Sequence, residues 1–170
     1  MTVFLYLYIN QNKFMKAVSV VTIKKELKHL SSSELAELCL RLSRFKKENK
    51  ELLTYLLFES HNESGYIESV KSYMDDEFEL INTNSYFYIR KSVRKILRNV
   101  KKFIRYSQKK ETEVELLIYF CEKLKHFKPS INRSTQLVNM YHRQILLAKK
   151  TIDKLHEDLQ YDFNLMLEDL

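Results

Sequence analysis

The chain has 170 residues, long enough for one domain with a core, and its 45% apolar and 30% charged side chains exclude a disordered polymer. A single Gly and a single Pro are too few for the turns of a β-sheet protein, and they exclude glycine-built phosphate loops and nucleophile elbows. The net charge is +7, yet ten of the 29 Lys and Arg lie between Leu80 and Lys110, where no acid occurs. A field localised in this way steers an anionic partner.

In chain order, residues 1–14 are apolar over only a short run, with no basic leader and no cleavage site. They are expected to be a peripheral tail to a single all-helical domain at 15–170. No stretch reaches the ~20 apolar residues that span a bilayer, so a cytoplasmic protein without a membrane partner is expected. Helical periodicity starts near Thr22. Ser31 and Glu34 have capping-box spacing before the apolar stripe Leu35, Leu38, Cys39, Leu42 and Phe45. Asn49 is the expected N-cap of a helix from Glu51 to Glu59, and His61–Gly65 breaks the pattern. A helix then runs from about Ser64 to Ile81 on Ile67, Val70, Met74 and Phe78, ending at the turn Asn82–Ser85.

The basic helix follows, from about 86 to 107. On a helical wheel Ile89, Val93, Ile96, Leu97, Val100, Phe103 and Ile104 occupy an arc of about 120°, and Lys and Arg fill the opposite side. Glu111–Phe127 is apolar around much of its circumference and is the expected central element. Pro129 marks a turn. Beyond it, apolar residues from Leu137 to Leu170 recur with a period of eleven. That spacing predicts one continuous helix from about Arg133 to the C-terminus, with a break near His156–Asp158 as the alternative. Cys39 and Cys121 both fall in apolar stripes and are expected as reduced core thiols, with a disulfide between them as the alternative.

Arg41-x-Ser43 with Lys46-Lys47-Glu48 and Glu51-Leu52-Leu53-x-Tyr55 is echoed by Arg105-x-Ser107 with Lys109-Lys110-Glu111 and Glu115-Leu116-Leu117-x-Tyr119. The segment Leu27-x-x-Leu30-Ser31-x-x-Glu34-Leu35-x-x-Leu38, with Glu51-Leu52-Leu53-x-Tyr55 after it, resembles the opening hairpin of uncharacterised bacterial all-helical domains. That resemblance implies a helical-hairpin fold and no activity. The expected fold is all-α, with about six or seven helices in antiparallel hairpins, as a repeat-like array or an irregular bundle with a long C-terminal helix.

Among the five histidines no His-Glu-x-x-His occurs, and Glu-x-x-His occurs once, at Glu26 and His29, where a di-iron bundle needs it on two helices, so neither a zinc-protease nor a di-iron ligand set is present in the sequence. No catalytic residue, metal or cofactor is expected. The first functional expectation is a non-catalytic scaffold that binds another protein. The alternative is nucleic acid held by its phosphates on the basic helix. Asp75, Asp76, Glu77 and Glu79 are placed to fold back on Arg90, Lys91 and Arg94, which leaves the distal residues as the strongest lead. The candidate partner-binding residues are Arg94, Arg98, Lys101, Lys102 and Arg105.

Overall fold

The computed structural model describes residues 16–170, so the expected tail at 1–14 lies outside the described residues. All regular elements among the described residues are helical, and eight of them are α-helices. The chain divides into two compact units between Lys50 and Glu51.

In the first unit, α1 (Val20–Leu27) starts where Ser19 Oγ accepts the Thr22 N–H at 3.2 Å. Helix α2 (Ser32–Phe45) opens on the expected capping box. Ser31 Oγ accepts from the Glu34 N–H at 3.3 Å, and Glu34 Oε2 accepts from the Ser31 N–H at 2.8 Å. Asn49 is not an N-cap. It lies inside α3 (Lys47–Thr54), and its side-chain amide donates to the Leu42 carbonyl at 2.9 Å. That carbonyl is one of the last four of α2, which have no partner within their own helix. Cys39 is not a core thiol either, because none of residues 16–50 is buried and the α2 stripe leaves it exposed.

In the second unit, α3 passes into a single π turn, Tyr55–Glu59, closed by the Ser60 N–H on the Tyr55 carbonyl at 2.9 Å. Helix α4 (Glu63–Glu79) is capped by Asn62, whose Oδ1 accepts the Gly65 N–H at 3.1 Å. A Cβ on Gly65 would stand 2.5 Å from Asn62 Nδ2, so the chain's one glycine lets this cap fold over the first turn. Helices α5 (Tyr86–Ser107) and α6 (Lys110–His126) follow, joined through Gln108, which adopts the left-handed conformation at φ 60°. A 3₁₀ turn at Ile131–Arg133 leads to α7 (Thr135–Ile152) and α8 (Glu157–Glu168).

Helix α6 is the central element, as its pattern predicts. It buries Val114, Leu116, Leu117, Ile118, Phe120, Cys121 and Leu124, and α4, α5, α7 and α8 all pack against it. Burial pushes the Cys121 thiol up to about 12, so it is a protonated core group. Leu116, Phe120 and Leu124 join the α4 and α5 side chains Met74, Phe78, Ile89, Val93 and Ile96 in one cluster. Val114, Leu117 and Ile118 form a second cluster with Ala148, Ile152 and Phe163.

That second cluster explains why the C-terminal run is two helices and the total is eight. The continuous helix is a correction: α7 ends at Ile152, and the chain turns through 153–156 before α8. A straight helix of ~55 Å would carry its C-terminal stripe past α6, which is ~25 Å long. Turning back places Phe163, Leu159 and Leu167 on the second cluster. The return is fastened by Tyr141 Oη to the Leu170 carbonyl at 2.8 Å and Lys125 Nζ to the Asp169 carbonyl at 2.9 Å.

One carboxylate ties four segments of this unit together. Glu63, in the first turn of α4, accepts at Oε1 from Thr112 Oγ1 at 2.6 Å and from Ser107 Oγ. At Oε2 it accepts from Tyr55 Oη at 2.8 Å, and Lys109 Nζ stands 3.0 Å away. Partial burial opposes its ionised form, but the bonds from Ser107, Thr112, Lys109 and Tyr55 outweigh it and hold the carboxyl at about 2. A depressed folded-state pKa gives stability that is full above the unfolded value near 4.5 and lost as pH falls towards 2. Glu63→Gln is expected to cost on the order of 2–3 kcal/mol at pH 7. Urea unfolding across pH checks this, because the difference between the two proteins should shrink from pH 5 to pH 2.

Candidate basic groove

Helices α5 and α7 both lie against α6, and their facing sides leave a groove of 660 Å³ between them. From α5 it receives Arg94, Leu97 and Lys101, spaced so that one stripe of the helix faces it. From α7 it receives Gln136, Met140, Arg143, Gln144, Leu147 and Lys150, again one stripe, rising about 21 Å along the helix. The floor is apolar and the rim is cationic. At one end the Arg94 guanidinium donates to Gln136 Oε1 at 3.0 Å and links the two walls.

An adjoining depression shares Arg94 and Gln136 and adds Phe87, Arg90, Lys91 and Arg98. The two therefore form one track, with Arg90, Lys91, Arg94, Arg98 and Lys101 from α5 and Arg143 and Lys150 from α7. Among the described residues no acid lines either part, and none of these seven cations makes an ion pair. Phe87 is 62% exposed at the end of the track, edge-on to Tyr88 at 5.5 Å.

Three of the five candidate residues, Arg94, Arg98 and Lys101, come together on this track. Lys102 does not. It lies 100° further round α5, where its ammonium pairs with Glu51 and stands 5.0 Å from the Phe103 ring centroid. Arg105 is exposed but lines neither part of the track. The expected fold-back of the α4 acids on Arg90, Lys91 and Arg94 is also corrected. Glu77 pairs with Lys95 at 3.0 Å, while Asp75 accepts from Tyr119 Oη at 2.7 Å and pairs with Lys123 at 2.8 Å. Packing of α4 on α6 directs Asp75 there instead. Arg143 and Lys150 belong to the track without having been singled out in the sequence, since α7 has an unremarkable charge pattern until α5 is beside it.

Gln144 is the unusual residue of the floor. It is 3% exposed, its Nε2 donates to the Met140 carbonyl at 2.9 Å, and its Oε1 has no hydrogen-bond partner. Among the described residues no three His, Cys, Asp or Glu side chains are grouped to hold a metal ion, and no helix is long and apolar enough to cross a membrane. No family model matches the chain, and no curated protein or solved structure matches it either.

An acceptor buried without a donor lowers stability, whereas an apolar side chain of similar shape does not. Gln144→Leu is therefore expected to stabilise the free protein by about 1 kcal/mol, read from the urea midpoint. A lower midpoint would mean that Oε1 is satisfied in solution.

Proposed function

We propose that this chain is a non-catalytic binding module that holds nucleic acid by its phosphates along the α5–α7 track. The observation that carries the reading is the convergence of seven unpaired cations from two helices on one concave surface without an acid. Phosphate contact needs point charges at backbone spacing and little else, and it needs no base-reading motif. Phe87 beside Arg90 and Lys91 adds a ring on which an unpaired base can stack, so a single strand suits the track better than a duplex.

A second reading, a scaffold for another protein, draws on a different feature. Leu56, Leu57 and Phe58 of the π turn are 53%, 60% and 64% exposed, three consecutive apolar side chains in the second unit. Apolar side chains grouped in this way mark surfaces that partners cover.

Fluorescence anisotropy with a labelled single strand of about 20 nucleotides separates the two. Binding at low salt should weaken by about 0.7 log unit per log unit of salt for each phosphate held. Arg94→Gln, Lys101→Gln, Arg143→Gln and Lys150→Gln should each weaken it several-fold and lower that slope, while Arg105→Gln, off the track, should do neither. A helical, monodisperse protein that binds no strand at about 50 mM salt leaves the scaffold reading.

A further inference from the structure

A pocket of 290 Å³ opens where the π turn Tyr55–Glu59 meets α4 and α5, away from the basic track. Five aromatic residues line it: Tyr55, Tyr66, Tyr73, Phe103 and Tyr106. Tyr55 and Tyr66 lie 4.6 Å apart between centroids, and Tyr73 stands edge-on to Phe103 at 5.4 Å. Each phenol is fixed at its hydroxyl. Tyr55 Oη donates to Glu63, Tyr66 Oη to the Phe103 carbonyl and Tyr106 Oη to Glu51, while the Asn99 amide donates to Tyr73 Oη. The rings are held in place before any ligand arrives, and their hydroxyls are already engaged.

The other lining groups set the sign of charge. Glu51 and Glu59 contribute carboxylates, and among the described residues no Lys or Arg lines the pocket. Glu51 is answered by Lys102, whereas Glu59 has no ion pair among the described residues. The single π turn sets Tyr55 and Glu59 at its two ends, and both reach the pocket. Such turns interrupt regular helices where a site needs its side chains re-aimed. The chain itself shows how these rings treat a cation: Lys102 Nζ lies 5.0 Å from the Phe103 centroid and 6.0 Å from that of Tyr106.

Aromatic faces attract cations through their quadrupole, and the attraction strengthens where water is excluded. A bare ammonium holds its water tightly and would need several acceptors in exchange, whereas the wall it meets here is mostly ring carbon. Methyl groups on the nitrogen remove that demand and keep the charge. We propose that this pocket binds a compact N-methylated ammonium group, with the rings against its methyls and Glu59 as its counter-charge.

Saturation-transfer NMR on the full chain, titrated with tetramethylammonium chloride, tests this. Tetramethylammonium should bind about tenfold more tightly than neopentyl alcohol, a neutral group of similar shape. Glu59→Gln should weaken the cation about fivefold, with the alcohol and the far-ultraviolet dichroism unchanged. Tyr73→Leu should weaken both probes. Choline binding more tightly than tetramethylammonium would assign the group to a small solute, and a trimethyl-lysine peptide doing so would assign it to a modified protein; either outcome keeps the proposal. Equal affinity for cation and alcohol, an unchanged cation affinity in Glu59→Gln, or no transfer to tetramethylammonium at about 10 mM overturns it.

Discussion

The carboxylate of Glu63 is the constraint on which the second unit depends. Three hydroxyls and one ammonium, drawn from the π turn, the end of α5, the α5–α6 link and the start of α6, converge on its two oxygens. It faces the first turn of α4, where the exposed N–H groups also favour negative charge. Left ionised and unpaired at this depth, the group would be costly; with four donors it is the junction that fixes where α5 ends and α6 begins. Tyr55 is held by that junction, and with it the π turn and one wall of the aromatic pocket.

From the junction, α6 runs through the middle of the unit and its burial dictates the rest. A helix apolar on several sides needs neighbours on several sides, and α4, α5, α7 and α8 supply them. Helices α5 and α7 take flanking positions, so the sides they do not bury border a common groove. Asp75 and Glu77 of α4 are drawn to Lys123 of α6 and to Lys95, and among the described residues no acid lines the groove. Its charge is thus a product of packing: acids that could neutralise it are engaged in ion pairs elsewhere. The aromatic pocket and the basic track use different sides of α5: Lys101 lines the track, while Lys102, 100° further round, pairs with Glu51 beside the pocket.

Much of this was legible from residue order. The capping box at Ser31 and Glu34, the apolar face of α5 and the all-round burial of α6 depend on residues within one or two turns of each other, and local spacing is enough to read them. The seam from Leu137 is a buried face as far as Phe163: Leu137, Ala148, Ile152 and Phe163 are buried on both sides of the turn at 153–156, while Met166 is exposed and Leu167 packs on the core in its place. Its continuity was not legible, because an eleven-residue period is kept by a straight helix and also by two helices that fold back on one core. Cys39 shows the converse, an apolar stripe that promises a core and buries nothing in its own unit.

The sequence by itself determined the helical class, most helix boundaries, the central place of α6 and the concentration of charge on α5, since each rests on short-range periodicity and composition. Only the tertiary structure decided which charges remain available and what surrounds them. Lys102 finds Glu51 across 51 residues of chain, Lys95 finds Glu77, and Arg143 and Lys150 join Arg94 and Lys101 because α7 lies across from α5. Pairing and concavity arise between side chains far apart in the chain. The basic helix is therefore visible in the letters, while the groove it lines exists only once α6 has brought α7 beside it.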